Sequence, residues 1–264
     1  MQPIDFTLNK YRDRPIAFID RFDGHGLDTS KWLPIYMPHW SSLPRSRPRY
    51  DFKDNNLVLR IDHDQEPWCP EFDGAVIVSS IQTGQFSGPL GSGIGQHRFK
   101  PGLVVREEQP EERLYTPLYG AFELRAKADI SENNLVALFL IGFEDEPDAS
   151  GEITVMEIFG RNVSAEGTRL GHGIKAINDP RLTTDFHEDL LPFDVADWHV
   201  YAAEWSPSGV SFFLDGRLLR HVPQSPAYPM QVLLNIYQLP SEKQIKRETP
   251  ATLTIDYFIG YAPA

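Results

Sequence analysis

Cysteine is almost absent: Cys69 stands alone in 264 residues. A single thiol excludes an internal disulfide and cannot build a structural zinc site by itself. Long apolar runs are missing too. The longest, Leu135 to Ile141, falls far short of the roughly 20 residues that a membrane-spanning helix needs. Positive charge is in deficit, with 25 Lys and Arg against 37 Asp and Glu and a net charge of −12. Nucleic acid and anionic membranes both demand clustered positive charge, so neither is an expected partner. The first residues, Met1 to Asp5, lack a basic start and an apolar stretch, and no signal peptide is expected in this chain. Repeats, low-complexity blocks and Gly/Ser-rich linkers are absent as well. One domain over residues 1–264 is therefore expected, as a monomer.

What is present alternates with period two. Strands are expected over 56–61, 75–81, 119–127, 135–143, 152–159, 168–174, 199–205, 210–214, 231–237 and 253–261. In the third of these, Phe122, Leu124 and Ala126 share one face, and Glu123, Arg125 and Lys127 the other. Ser208-Gly209 and Asp215-Gly216 read as hairpin turns. A parallel α/β sheet would need helical crossovers of a dozen or so residues, and no segment supplies them. The class is all-β, a sandwich or barrel.

The chemistry lies in Gly151-Glu152-Ile153-Thr154-Val155-Met156-Glu157-Ile158-Phe159-Gly160. Two glutamates interrupt a strongly apolar strand. Residues five apart on a regular strand point to opposite faces. A bulge at Val155-Met156 would restore the face, turning Glu152, Thr154 and Glu157 into one cleft and Ile153 and Ile158 into the core. Paired carboxylates suit glycoside hydrolysis, and closely spaced ones suit its retaining form. Spacing alone leaves open a strand that merely exposes glutamates to solvent.

The motif Glu152-Ile153-Thr154-Val155-Met156-Glu157 resembles the Glu-x-Asp-x-x-Glu of glycoside hydrolase family 16, laminarinase-like branch, with Thr154 at the Asp position. Four further stretches are similar to that family in the same order: Phe22-Asp23-Gly24 with Leu27 to Trp32, Tyr119 to Lys127, Trp198 to Gly216, and Ile255 to Tyr261. The resemblance implies a concanavalin-like jelly roll, a β-sandwich of two curved antiparallel sheets with a concave substrate cleft. It implies a retaining endo-acting glycosidase of a β-linked polysaccharide, with β-1,3- or mixed-linkage β-glucan as the expected substrate. By position Glu152 is the nucleophile and Glu157 the general acid/base, kept protonated by burial and by the Glu152 charge. The Thr154 hydroxyl is left to donate a hydrogen bond to Glu152. A sugar-binding protein that has lost catalysis, and a transglycosylase, stay open as alternatives.

The resemblance also implies sugar contacts from Glu123 and Arg125 on their strand's polar face, from His172 after the catalytic strand, and from Asn235. Trp40 and Trp68, in Pro-rich loop-like segments, are candidate stacking platforms. Phe139 stands where the family often carries a sugar-stacking Trp. Trp32, Trp198 and Trp205 are expected in the core. No cofactor is required and no metal-binding motif is present. Some family members hold a structural calcium through a closing-strand Asp, here Asp256. Arg21 is a candidate partner that would make the ion unnecessary. The family acts mostly outside the cell.

Overall fold

The computed structural model describes residues 11, 13–241 and 249–264. Met1 to Asp5, which carry the signal-peptide reading, lie outside the described residues. The period-two segments assemble into two large sheets, with strands numbered along the chain. In spatial order the first holds Arg217–Val222 (β15), Gly209–Leu214 (β14), His199–Ser206 (β13), Gly120–Asp129 (β7), Ala251–Tyr261 (β17), Asn56–Ile61 (β3) and Arg49–Lys53 (β2). Ile16–Asp20 (β1) also pairs with β17. The second sheet holds Val163–Ser164 (β10), Gly167–Lys175 (β11), Glu152–Phe159 (β9), Asn134–Gly142 (β8), Met230–Gln238 (β16) and Ile77–Gln82 (β4), with Asp185–Leu191 (β12) on β11. Gly84–Gln85 (β5) and Glu112–Arg113 (β6) form a small separate ladder. The pairs in both sheets are antiparallel.

Alternation explains the layering. Phe122, Leu124 and Ala126 of β7 face Val136, Leu138 and Leu140 of β8 and Val232, Leu234 and Ile236 of β16 across one core. Each fully buried Leu or Phe contributes about 1.5–3 kcal/mol. A second apolar layer covers part of the outer face of the β8–β16 region. There Trp40, Trp68, Cys69, Leu103 and Val105, from long connecting segments, pack on Phe139, Ile141, Leu233 and Tyr237. A third cluster, with Tyr11, Ala121, Ala202 and Tyr261, lies on the outer face of the other sheet.

The ten expected strands all form, with ends shifted by at most two residues. β1, β2, β12 and β15 were not expected, nor were the two-residue strands β5, β6 and β10. In β2 and β12 none of the side chains is fully buried, and in β15 only Val222 is. Edge or near-edge strands with so little burial carry no clean apolar alternation. Among the described residues no helix is long and apolar enough to cross a membrane.

Candidate active site

β9 lies between β8 and β11. Glu152 stands opposite Ile141 and Lys175, Thr154 opposite Phe139 and Gly173, and Glu157 opposite Ala137 and Gly171. Both registers shift between Thr154 and Glu157, and Val155 has no partner on either neighbour. Such an extra residue is a β-bulge. Ile153, Val155, Met156 and Ile158 all belong to the central core. Glu152, Thr154 and Glu157 are left on the outer face, which is the candidate cleft.

The two carboxylates meet at one cation. Lys175 Nζ lies 3.1 Å from Glu152 Oε1 and 2.7 Å from Glu157 Oε2. Those two oxygens are thus no more than about 5.8 Å apart, below the roughly 6.5–9.5 Å that inverting pairs need. Thr154 Oγ1 donates to Glu152 Oε1 at 2.5 Å. Lys175 Nζ also sits 4.5 Å from the centre of the Phe186 ring.

Their environments split the pair. Burial pushes the Glu152 carboxyl up, but Lys175, His97 and the Thr154 hydroxyl outweigh it and hold the group below its ordinary range. Burial raises Glu157, the Glu152 charge adds to that rise, and Lys175 offsets only part of it. One group is disposed to stay ionised and the other to hold a proton.

The other expected site residues scatter. Phe139 and Asn235 lie on the cleft-side face, buried; Asn235 Nδ2 donates to the Ala137 carbonyl at 3.5 Å. Trp40 and Trp68 are on this side too, but they are packing residues and not open platforms. Trp40 is fully buried and donates to the Gln96 carbonyl at 2.9 Å; Trp68 is fully buried and donates to Asp73 at 2.8 Å. His172 points inward, not into the cleft. Its ring lies 5.4 Å from Phe212 of the opposite sheet, because it opposes the bulge on β9 and shares the inward face of β11 with core residues Leu170 and Ile174.

Glu123 and Arg125 are corrected most. They lie on β7, in the sheet that does not carry the carboxylates, on its outer face. Tyr261 donates to Glu123 at 2.8 Å, and Arg125 pairs with Asp256 at 2.5 Å and stacks on Trp198. Trp198 is half-buried there, outside the core, whereas Trp32 and Trp205 are core residues. Arg125, and not the anticipated Arg21, is thus the partner that the structure gives Asp256. At Asp256, where the resemblance would place a structural calcium, the carboxylate is already engaged by the Arg125 guanidinium.

Two participants escaped the sequence reading, Lys175 and His97. Lys175 follows Gly171 and Gly173 at spacing two on the strand beside the glutamates, and that alternation was the available signal. His97 sits on a long connection with no periodicity. Its ring stacks 6.2 Å from Phe139, and its backbone N–H donates to Glu144.

A bulged central strand that brings two carboxylates of opposed acidity together on a sandwich's outer face is an arrangement that suits glycoside hydrolysis. Residues 114–258 match the family model for glycosyl hydrolases family 16, and the chain belongs to that family. A β-glucanase from Rhodothermus marinus is 32% identical over 141 residues, 46% of this chain and 47% of that protein. A GlcNAcα1-4Gal-releasing endo-β-galactosidase from Clostridium perfringens superposes with a TM-score of 0.86 at 30% identity, over 100% of this chain and 65% of that one. A laminarinase from Flavobacterium sp. UMI-01 superposes with a TM-score of 0.64 at 16% identity, over 93% and 99% of the two chains. The chain thus spans about half of the β-glucanase and 65% of the endo-β-galactosidase chain.

Proposed function

We propose that this glycosidase hydrolyses internal β-galactosidic bonds of a glycan chain with retention of configuration. Glu152 is the nucleophile and Glu157 the general acid/base. The observation that carries the mechanism is the shared Lys175, which bounds the carboxylate separation on the retaining side and stands between groups of opposed acidity. Glu157 protonates the leaving oxygen while Glu152 bonds to the anomeric carbon. Water, activated by the now ionised Glu157, then releases the sugar. Thr154 supports Glu152 by its hydrogen bond and adds no charge of its own.

The sugar preference rests on the endo-β-galactosidase, which matches this chain over its whole length at 30% identity. A β-1,3- or mixed-linkage glucan is the second reading, favoured by the 32% identity with the β-glucanase. Reducing-end release from a GlcNAcα1-4Gal-capped glycan, laminarin and lichenan distinguishes the two. Galactose at the new reducing end supports the first, and activity confined to the glucans overturns it. Glu152→Gln and Glu157→Gln are expected to lose at least a thousandfold in kcat on whichever glycan is cleaved. An α-anomer as the first-formed product of a β-linked substrate would contradict retention.

A further inference from the structure

The retaining mechanism assigns tasks to two carboxylates and none to the lysine between them. Lys175 stands opposite Glu152 in the β9–β11 register and touches both carboxylates. The groups that face the pair come from several elements. β9 supplies Glu152 and Glu157 themselves, and β12 supplies Glu188, whose charge bears on Glu157. The connection between β5 and β6 supplies His97, which bears on Glu152. Tyr36 and Tyr237 are buried phenols held neutral by burial. β8 presents only Ala137, Phe139 and Ile141 there. Lys175 is the cation that contacts both members.

We propose that Lys175 is a positioning residue whose single positive charge is handed from Glu152 to Glu157 as the reaction advances. This rests on the retaining reading above. In the free enzyme Glu152 is ionised, Glu157 is protonated, and the ammonium balances Glu152. In the first step the Glu157 proton moves to the glycosidic oxygen, the bond from that oxygen to the anomeric carbon breaks, and a Glu152 oxygen bonds to that carbon. Glu152 is then a neutral ester, and Glu157 carries the negative charge beside the same ammonium. In the second step water bonds to the anomeric carbon and gives a proton to Glu157, and the ester's electron pair returns to Glu152. The three side chains sum to zero charge at every stage. A mostly buried site is where an unbalanced charge costs most. Thr154 belongs to this scheme: a carboxylate there would leave a second negative charge for one lysine.

The test compares pH profiles of kcat/KM for wild type, Lys175→Met, Lys175→Gln and Lys175→Arg on the glycan that wild type cleaves. Carboxyl-carbon NMR titration, assigned with Glu152→Gln and Glu157→Gln, runs beside it and needs no turnover. Loss of the cation in Met and Gln is expected to move both limbs, and both carboxyl titrations, upward by about 1–3 pH units. Arg keeps them near wild type. On an aryl glycoside with a good leaving group the Met and Gln variants show a burst, because a Glu157 that ionises less readily slows the second step. A wild-type profile in Lys175→Gln would overturn the proposal, showing a hydrogen bond to be sufficient. Unmoved carboxyl titrations in both neutral variants would overturn it as well. A wild type that cleaves no glycan, with titrations still moved by Lys175, would sink the retaining reading and not the charge coupling.

Discussion

Threonine between two glutamates changes how charge is apportioned in the site. Thr154 gives Glu152 a hydrogen bond at 2.5 Å without adding a negative charge near Glu157. Thr154→Asp puts a like charge beside Glu157, so the Glu157 proton is held to higher pH. The alkaline limb of the kcat/KM profile is expected to move up by about one unit; an unmoved limb would refute the argument. Glu144 offers a second case. Burial pushes its carboxyl up to about 8, despite the opposing His97 N–H and Arg98. The folded chain therefore holds a proton that the unfolded chain releases near 4.5, and stability falls as pH rises between about 4.5 and 8. Glu144→Gln removes that slope. Thermal midpoints measured across this window should decline less in the variant than in wild type, and parallel declines would count against the assignment.

At the scale of elements, β11 makes room beside the carboxylate pair. Gly171 and Gly173 stand opposite Glu157 and Thr154. A Cβ at Gly171 would lie 2.6 Å from the Phe186 ring and 3.0 Å from the Glu157 carbonyl oxygen. Gly171→Ala is expected to displace Glu157 and lower kcat about ten- to a hundredfold, with a smaller change in KM. Steady-state kinetics that match wild type would show the strand to be more yielding. The same element scale explains what was legible beforehand. Strands with one buried face announced themselves by alternation, and β9 carried its bulge as two apolar residues between two polar ones. Alternation separates the faces of a strand, but it does not say to which sheet the strand belongs. Glu123 and Arg125 were thus correctly placed on the polar face of β7, while that face proved to be the far side of the molecule. Trp40 and Trp68 were misjudged because Pro-rich connections here build a second apolar layer. Lys175 was missed because the strand was ended one residue early.

The whole molecule is acidic, with a net charge of −12, while the cleft's own charges include Lys175. Its long-range field repels anionic glycans and leaves neutral ones unaffected. Raising ionic strength from about 0.01 to 0.1 M shortens the screening length from about 30 to 10 Å. For a sulfated or carboxylated substrate kcat/KM should rise severalfold over that range, and for a neutral one it should stay flat. A fall with salt on an anionic glycan would point to local attraction in the cleft and against the global field.

The bulge at Val155 has a hereditary consequence. Upstream of it odd-numbered residues of β9 face the core, and downstream even-numbered ones do. Loss of a single codon there would leave a regular strand on which Glu152 and Glu157, then four apart, still share the outer face, whereas loss of a second would turn Glu157 into the apolar interior. The strand can therefore lose its unpaired bulge residue without turning either glutamate inward. A bulged strand with the glutamates five apart and a regular one with them four apart are thus two spellings of one surface, a single codon from each other.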